Sequence, residues 1–156
     1  VAEKVALFFH VTAALWMAGG LVGVLVPLAR AYSVDDLSIQ VLAVEEASHY
    51  QGLLLLPGAI VTGTTGLLYW AARGKEVFGD PVLMALGLLY LVVLLVFLPL
   101  IGLGLRRLRV AAIQSRREGV LTPELKEALE DRVALTFLGL TIVLMPGLVA
   151  LSLAAA

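Results

Sequence analysis

His10 is the one side chain titrating near neutral pH that interrupts the four long apolar stretches of this 156-residue chain. An imidazole inside hydrocarbon either ligates a metal through a ring nitrogen or satisfies a buried polar neighbour, and in lipid such a residue is by default a functional-site hypothesis. At helical spacing its face reads Ala6, His10, Ala13, Ala14, Met17 and Gly20. Side chains that small leave a groove in which a flat macrocycle such as haem b can rest with His10 on its iron. The alternative reading is a histidine shallow enough to bond water, a headgroup or a neighbouring carbonyl.

The second histidine cannot share that metal. At ~1.5 Å per residue His49 differs from His10 in depth by roughly 30 Å, and beside Glu45 and Glu46 it reads as a solvated surface residue. A second axial ligand would then be water, a residue of another subunit or a thioether, since thioethers suit haem iron and Cu(I). Met17, Met84 and Met145 lie closer to His10 in depth, but three scattered methionines read equally as packing residues. The chain has no cysteine, which excludes disulfides, thiolate metal sites and cysteine nucleophiles. No carboxylate falls within an apolar stretch, so an intramembrane Asp/Glu relay is excluded, and no phosphate loop, metal-hydrolase motif or nucleophile triad is present. No catalytic residue is assigned.

The elements that must position His10 are the four stretches themselves, at about 5–28, 52–72, 81–105 and 133–155. A bilayer crossing needs roughly 20 apolar residues, and with every backbone group to be satisfied internally the solution for so few segments is helical. The expected fold class is all-α: a four-helix transmembrane bundle with cytoplasmic helical extensions, one integral membrane domain over 1–156. Val5–Pro27 is longer than the apolar core of a leader peptide and is expected to be a span. The connections Arg30–His49 and Arg106–Arg132 carry eight of the eleven Lys and Arg residues, against Lys4, Arg73 and Lys75 on the other face. By the positive-inside rule the long connections are cytoplasmic and both termini external, in the cytoplasmic (inner) membrane of a bacterium or archaeon. Arg106, Arg107 and Arg109 then form a solvated face or bind anionic lipid headgroups. The absence of asparagine and the excess of Arg over Lys fit a thermophilic source or a GC-rich genome.

Local signals mark the helix ends. Ser33-Val34-Asp35-Asp36 predicts a helix capped by the Ser33 hydroxyl, with Leu37, Val41, Val44 and Ala47 following at helical spacing. Thr122-Pro123-Glu124 predicts a second start, with the fourth span expected to begin well outside the membrane, and Gly119 a stop. Pro81 follows Asp80 as a first-turn proline, whereas Pro57, Pro99 and Pro146 predict kinks. Gly19 with Gly23, and Gly58 with Thr62 and Gly66, form small-residue stripes expected at helix contacts.

His10 followed by Trp16-Met17-Ala18-Gly19-Gly20 resembles the His, aromatic, Gly-Gly pattern of the copper-resistance protein D superfamily and its four-span relatives. It is also similar to the membrane-embedded protoporphyrinogen oxidase family, in which His precedes a Trp-x-Ala-Gly run and the second span carries Pro with Thr and Gly behind it. Here that element is Pro57-Gly58-Ala59-Ile60-Val61-Thr62, then Gly63 and Gly66, and Leu144-Met145-Pro146 resembles the terminal Leu-Met and proline of the four-span relatives. Trp16 stands one residue closer to His10 than that pattern has it, and Pro81–Leu86 holds no lysine where the oxidases carry one. What the resemblance implies is haem association through His10. Two function classes stay open: a haem-binding membrane protein for electron transfer or haem handling, and a haem-free accessory subunit of a larger respiratory complex of oxidase or nitric oxide reductase type. Copper transport follows from the resemblance alone. The expected partners are the lipid bilayer and other membrane subunits or further copies of the chain, with no nucleic acid.

Overall fold

The computed structural model describes residues 1–76 and 78–154, and among them there are helices and turns but no strand. In chain order the helices are α1 (Ala2–Ser33), α2 (Leu37–Tyr50), α3 (Leu56–Ala72), α4 (Pro81–Val92), α5 (Leu98–Glu118), α6 (Pro123–Glu130) and α7 (Val133–Ala154). A π turn over Gln51–Leu55 joins α2 to α3, and another over Val93–Phe97 joins α4 to α5, so each pair forms one continuous rod. Four helical segments are thus long and apolar enough to cross a membrane: Ala2–Ser33, Leu37–Ala72, Pro81–Glu118 and Pro123–Ala154. The chain is a multi-pass membrane protein built as an all-α four-helix bundle.

The two π turns are the response to two of the prolines. Pro57 and Pro99 have no N–H to return to the carbonyl four residues back, and their rings would strike it. Immediately ahead of each the ladder widens, with the Leu56 N–H donating to the Gln51 carbonyl and the Leu98 N–H to the Val93 carbonyl, five residues back in both cases. The widened turn takes up the mismatch. Helix α1 runs on through Pro27 and α7 through Pro146.

Helix α1 packs chiefly on α3 and α2, α2 on α5, α5 on α7 and α6, and α4 on α7. The largest fully buried side chains include Met17, Leu28, Leu55, Ile101, Leu105 and Leu138. Helix α1 buries nothing before Ala13, so the main core lies toward the end of the bundle where α2, α5 and α6 extend. Beside the first turns of α1 a smaller cluster of Tyr69, Trp70 and Leu83 packs with Ala6, Val82 and Leu86.

Glycine sets the closest approach of the rods. A methyl at Gly20 would lie 2.6 Å from the backbone N and Cα of Leu55, and one at Gly58 2.9 Å from the backbone of Met17. Gly23 faces the Tyr50 ring and Gly66 the His10 ring. The stripe Gly58, Thr62, Gly66 therefore lies at a helix contact, as its spacing predicts. Gly19 does not, for a methyl there would meet nothing within 4 Å; the neighbouring Gly20 takes the contact, because the phase of α1 turns that residue toward α3. Tyr90 fastens α4 to this pair by donating its hydroxyl to the Ala59 carbonyl, with the Met17 sulfur 3.8 Å away.

Helix ends follow local chemistry. The Thr122 side chain accepts from the Leu125 N–H, Pro123 opens α6, and Gly119 ends α5 in the left-handed region at φ 70°. Asp80 caps α4 by accepting from the Val82 and Leu83 N–H groups. The start of α2 departs from expectation: Asp36, not Ser33, is the cap, accepting from the Ser38 and Ile39 N–H groups. Ser33 is the last residue of α1, and its hydroxyl donates back to the Arg30 carbonyl. Between α6, which ends at Glu130, and α7, which starts at Val133, the Val133 N–H donates to Asp131 Oδ1.

Candidate functional site

His10 lies on the part of α1 near the N-terminus and faces α3. Its Nδ1 is 3.2 Å from the Thr62 carbonyl oxygen and 3.3 Å from Thr65 Oγ1. The Thr65 hydroxyl donates to the Val61 carbonyl at 2.7 Å. A carbonyl only accepts, and a hydroxyl already committed as donor offers its lone pair. Both neighbours therefore require the proton on Nδ1, which leaves the lone pair on Nε2. That is a tautomer in which histidine can ligate a metal through Nε2, with a carbonyl holding the other ring nitrogen.

The imidazole rests over Gly66, where a methyl would come within 3.1 Å of Cε1. It lies nearly parallel to the Tyr69 ring, at 5° and 6.3 Å between centroids. Arg73 donates to the Tyr69 hydroxyl at 3.3 Å, stands over the Tyr69 and Trp70 rings, and pairs with Glu3 at 3.4 Å. Charge, aromatic faces and imidazole thus stack from the membrane edge inward between α1 and α3. Thr62, Thr65, Tyr69 and Arg73 carry this arrangement but were not singled out as site residues in the sequence. Their spacing of three or four residues marks one helical face, and that periodicity was the available signal.

The groove expected along Ala13, Met17 and Gly20 is filled. Ala13 and Met17 are buried, and the backbone of Gly58 meets that of Met17. The sequence shows that this face carries small residues, and small residues admit a neighbouring helix as readily as a ligand.

The other candidates lie apart. Met17 is fully buried with its sulfur toward the Tyr90 hydroxyl, Met84 is 43% exposed on α4, and Met145 packs half-buried against the main core. His49 is exposed at the end of α2 and makes an edge contact with Tyr50. Because Tyr50 packs on Gly23, thirteen residues beyond His10, the two histidines are separated along α1 by about 20 Å. The expectation of about 30 Å was too long, since α2 folds back along the last part of α1 before His49 is reached. Among the described residues no cluster of three or more His, Asp or Glu side chains is arranged to hold a metal ion, a criterion that a single-histidine haem site does not need to meet.

No protein-family model matches this chain, and comparison with curated proteins and with solved structures finds no match either.

Proposed function

We propose that this membrane protein binds one b-type haem through His10 near the external face, for electron transfer or haem handling. The carrying observation is the pair of acceptors at Nδ1, the Thr62 carbonyl and the Thr65 hydroxyl, which supports an oriented, unprotonated Nε2. A carbonyl behind a ligating histidine raises the basicity of the ligand and fixes its ring. His10 would hold the iron, with Thr62 and Thr65 as positioning residues, and a bound haem supplies one-electron chemistry. Met17 is fully buried with its sulfur toward the Tyr90 hydroxyl and would not join His10 as a ligand. With α3 seated on the His10 face of α1, a haem would need a further wall from outside the chain, which makes a second membrane subunit or a second copy part of this reading. The eight-to-three distribution of Lys and Arg supports external termini and, with them, a His10 toward the outer leaflet.

One observation favours the alternative, a haem-free accessory subunit of a respiratory membrane complex. The imidazole already packs over Gly66 beside Tyr69 and so closes the α1–α3 pair without iron. Optical spectra of protein produced under haem-replete conditions separate the two. The expected result is a reduced-minus-oxidised b-type signal that His10→Ala abolishes and His49→Ala retains. A haem-free parent, or a His10→Ala variant with its haem intact, gives the accessory reading precedence.

A further inference from the structure

On the far side of the bundle from His10, an open cleft of about 660 Å³ lies where α2 passes into the membrane-crossing rod. Glu45, Glu46, His49 and Arg109 line it together with Gly52 and Leu53, the first residues of the second apolar stretch. Leu53 is exposed, and a methyl at Gly52 would meet nothing within 4 Å. The cleft therefore brings charged side chains beside the open start of an apolar stretch, a combination that suits an amphiphile.

The charges lining the cleft decide which amphiphile. Glu45 is already neutralised by Arg116, at 2.9 Å. Glu46 and Arg109 line the same cleft, yet among the described residues neither forms an ion pair. Apart from the His49 imidazole, what remains is one anion and one cation lining a shared opening. An anionic headgroup would meet Arg109 but be repelled by Glu46. A headgroup carrying both a phosphate and a primary ammonium satisfies both side chains. We propose that this cleft is a binding site for a zwitterionic aminophospholipid, with Arg109 on the phosphate, Glu46 on the ammonium and the acyl chains leaving over Gly52 and Leu53. The site is independent of His10.

The test is native mass spectrometry of the delipidated full-length protein titrated with phosphatidylethanolamine, phosphatidylglycerol or phosphatidylcholine of matched acyl chains, and separately with inorganic phosphate. The parent should retain phosphatidylethanolamine in preference to phosphatidylglycerol. Glu46→Gln should shift that preference toward phosphatidylglycerol by about threefold to fivefold, the scale of one exposed charge contact. Arg109→Gln should weaken phosphatidylethanolamine and phosphatidylglycerol alike, and Arg117→Gln, outside the cleft, should change neither. Equal retention of phosphatidylethanolamine and phosphatidylglycerol by the parent, or a preference that survives Glu46→Gln, overturns the proposal. Displacement of the lipid by millimolar inorganic phosphate would instead identify a simple anion site. Glu46 and Arg109 are not in the core, and an unfolding midpoint for each variant equal to that of the parent ties any change to the cleft.

Discussion

Replacing Gly20 by alanine adds a methyl whose position is fixed by the backbone, 2.6 Å from both N and Cα of Leu55 and 2.9 Å from the Leu54 carbonyl carbon. Carbon atoms in ordinary contact sit ~3.5–4.0 Å apart, so α1 and the second rod must part locally by about 1 Å. The obstacle is backbone, and no rotamer change relieves it. A gap of ~0.5–1 Å forfeits a quarter to a half of the dispersion well for the atoms that line it, and overpacking of this kind costs about 1–3 kcal/mol. We take about 2 kcal/mol for Gly20→Ala. The adjacent Gly19→Ala adds the same methyl where nothing lies within 4 Å and should fall within about 0.5 kcal/mol of the parent, on the stabilising side if alanine's better helix propensity is felt. Equilibrium unfolding in mixed detergent and SDS micelles, followed by far-ultraviolet circular dichroism, measures the difference. Equal midpoints for the two variants would mean that α1 does not approach Leu55 as described.

Thr122→Ala removes both the α6 cap and the buried 2.7 Å hydroxyl pair with Ser115; a loss of about 2 kcal/mol is expected in the same unfolding assay, largely restored by Thr122→Ser. The Ser38 hydroxyl, with the Ile39 and Ser38 N–H groups, holds the Asp36 carboxyl below its ordinary range. A depressed folded-state value gives stability that is present above the unfolded pKa and lost as pH falls through the folded one, so the stability gap between parent and Asp36→Ala should be open at neutral pH and close in strong acid. For topology, Lys75→Cys should react with an impermeant maleimide on intact cells and Glu118→Cys only after permeabilisation. The opposite pattern reverses the orientation, and labelling of both from outside removes the four-span arrangement.

The features legible in the sequence are those decided within a few residues. Thr122-Pro123 and Asp80-Pro81 each place a cap and a first-turn proline side by side, and Gly119 supplies the one backbone conformation that stops α5, so these ends fall where expected. The four spans are legible because hydrocarbon leaves the backbone no other arrangement. At Ser33 and Asp36 two capping groups stood three residues apart. The carboxylate prevailed, taking two N–H groups while the Ser33 hydroxyl turned back to Arg30. At Gly19 and Gly20 the spacing rule identified a small-residue patch but not its phase, which the partner helix sets. The setting of His10 was the least legible, because whether a bare helix face receives a ligand or Gly58 and Thr62 depends on a segment more than forty residues away.

Each π turn holds one residue more than an α-helix of the same rise, and that insertion works as a phase shifter in its rod. In a straight α-helix neighbouring residues point about 100° apart. Restoring α geometry over Gln51–Leu55 with all five residues kept would therefore rotate everything beyond it by roughly that angle relative to α2. With α2 held against α5 and Tyr50 against Gly23, Gly58, Thr62 and Gly66 would swing away from α1, and His10 would lose both acceptors at Nδ1. The register of the histidine pocket is thus set some ten residues away from it, by a turn that touches no part of the imidazole.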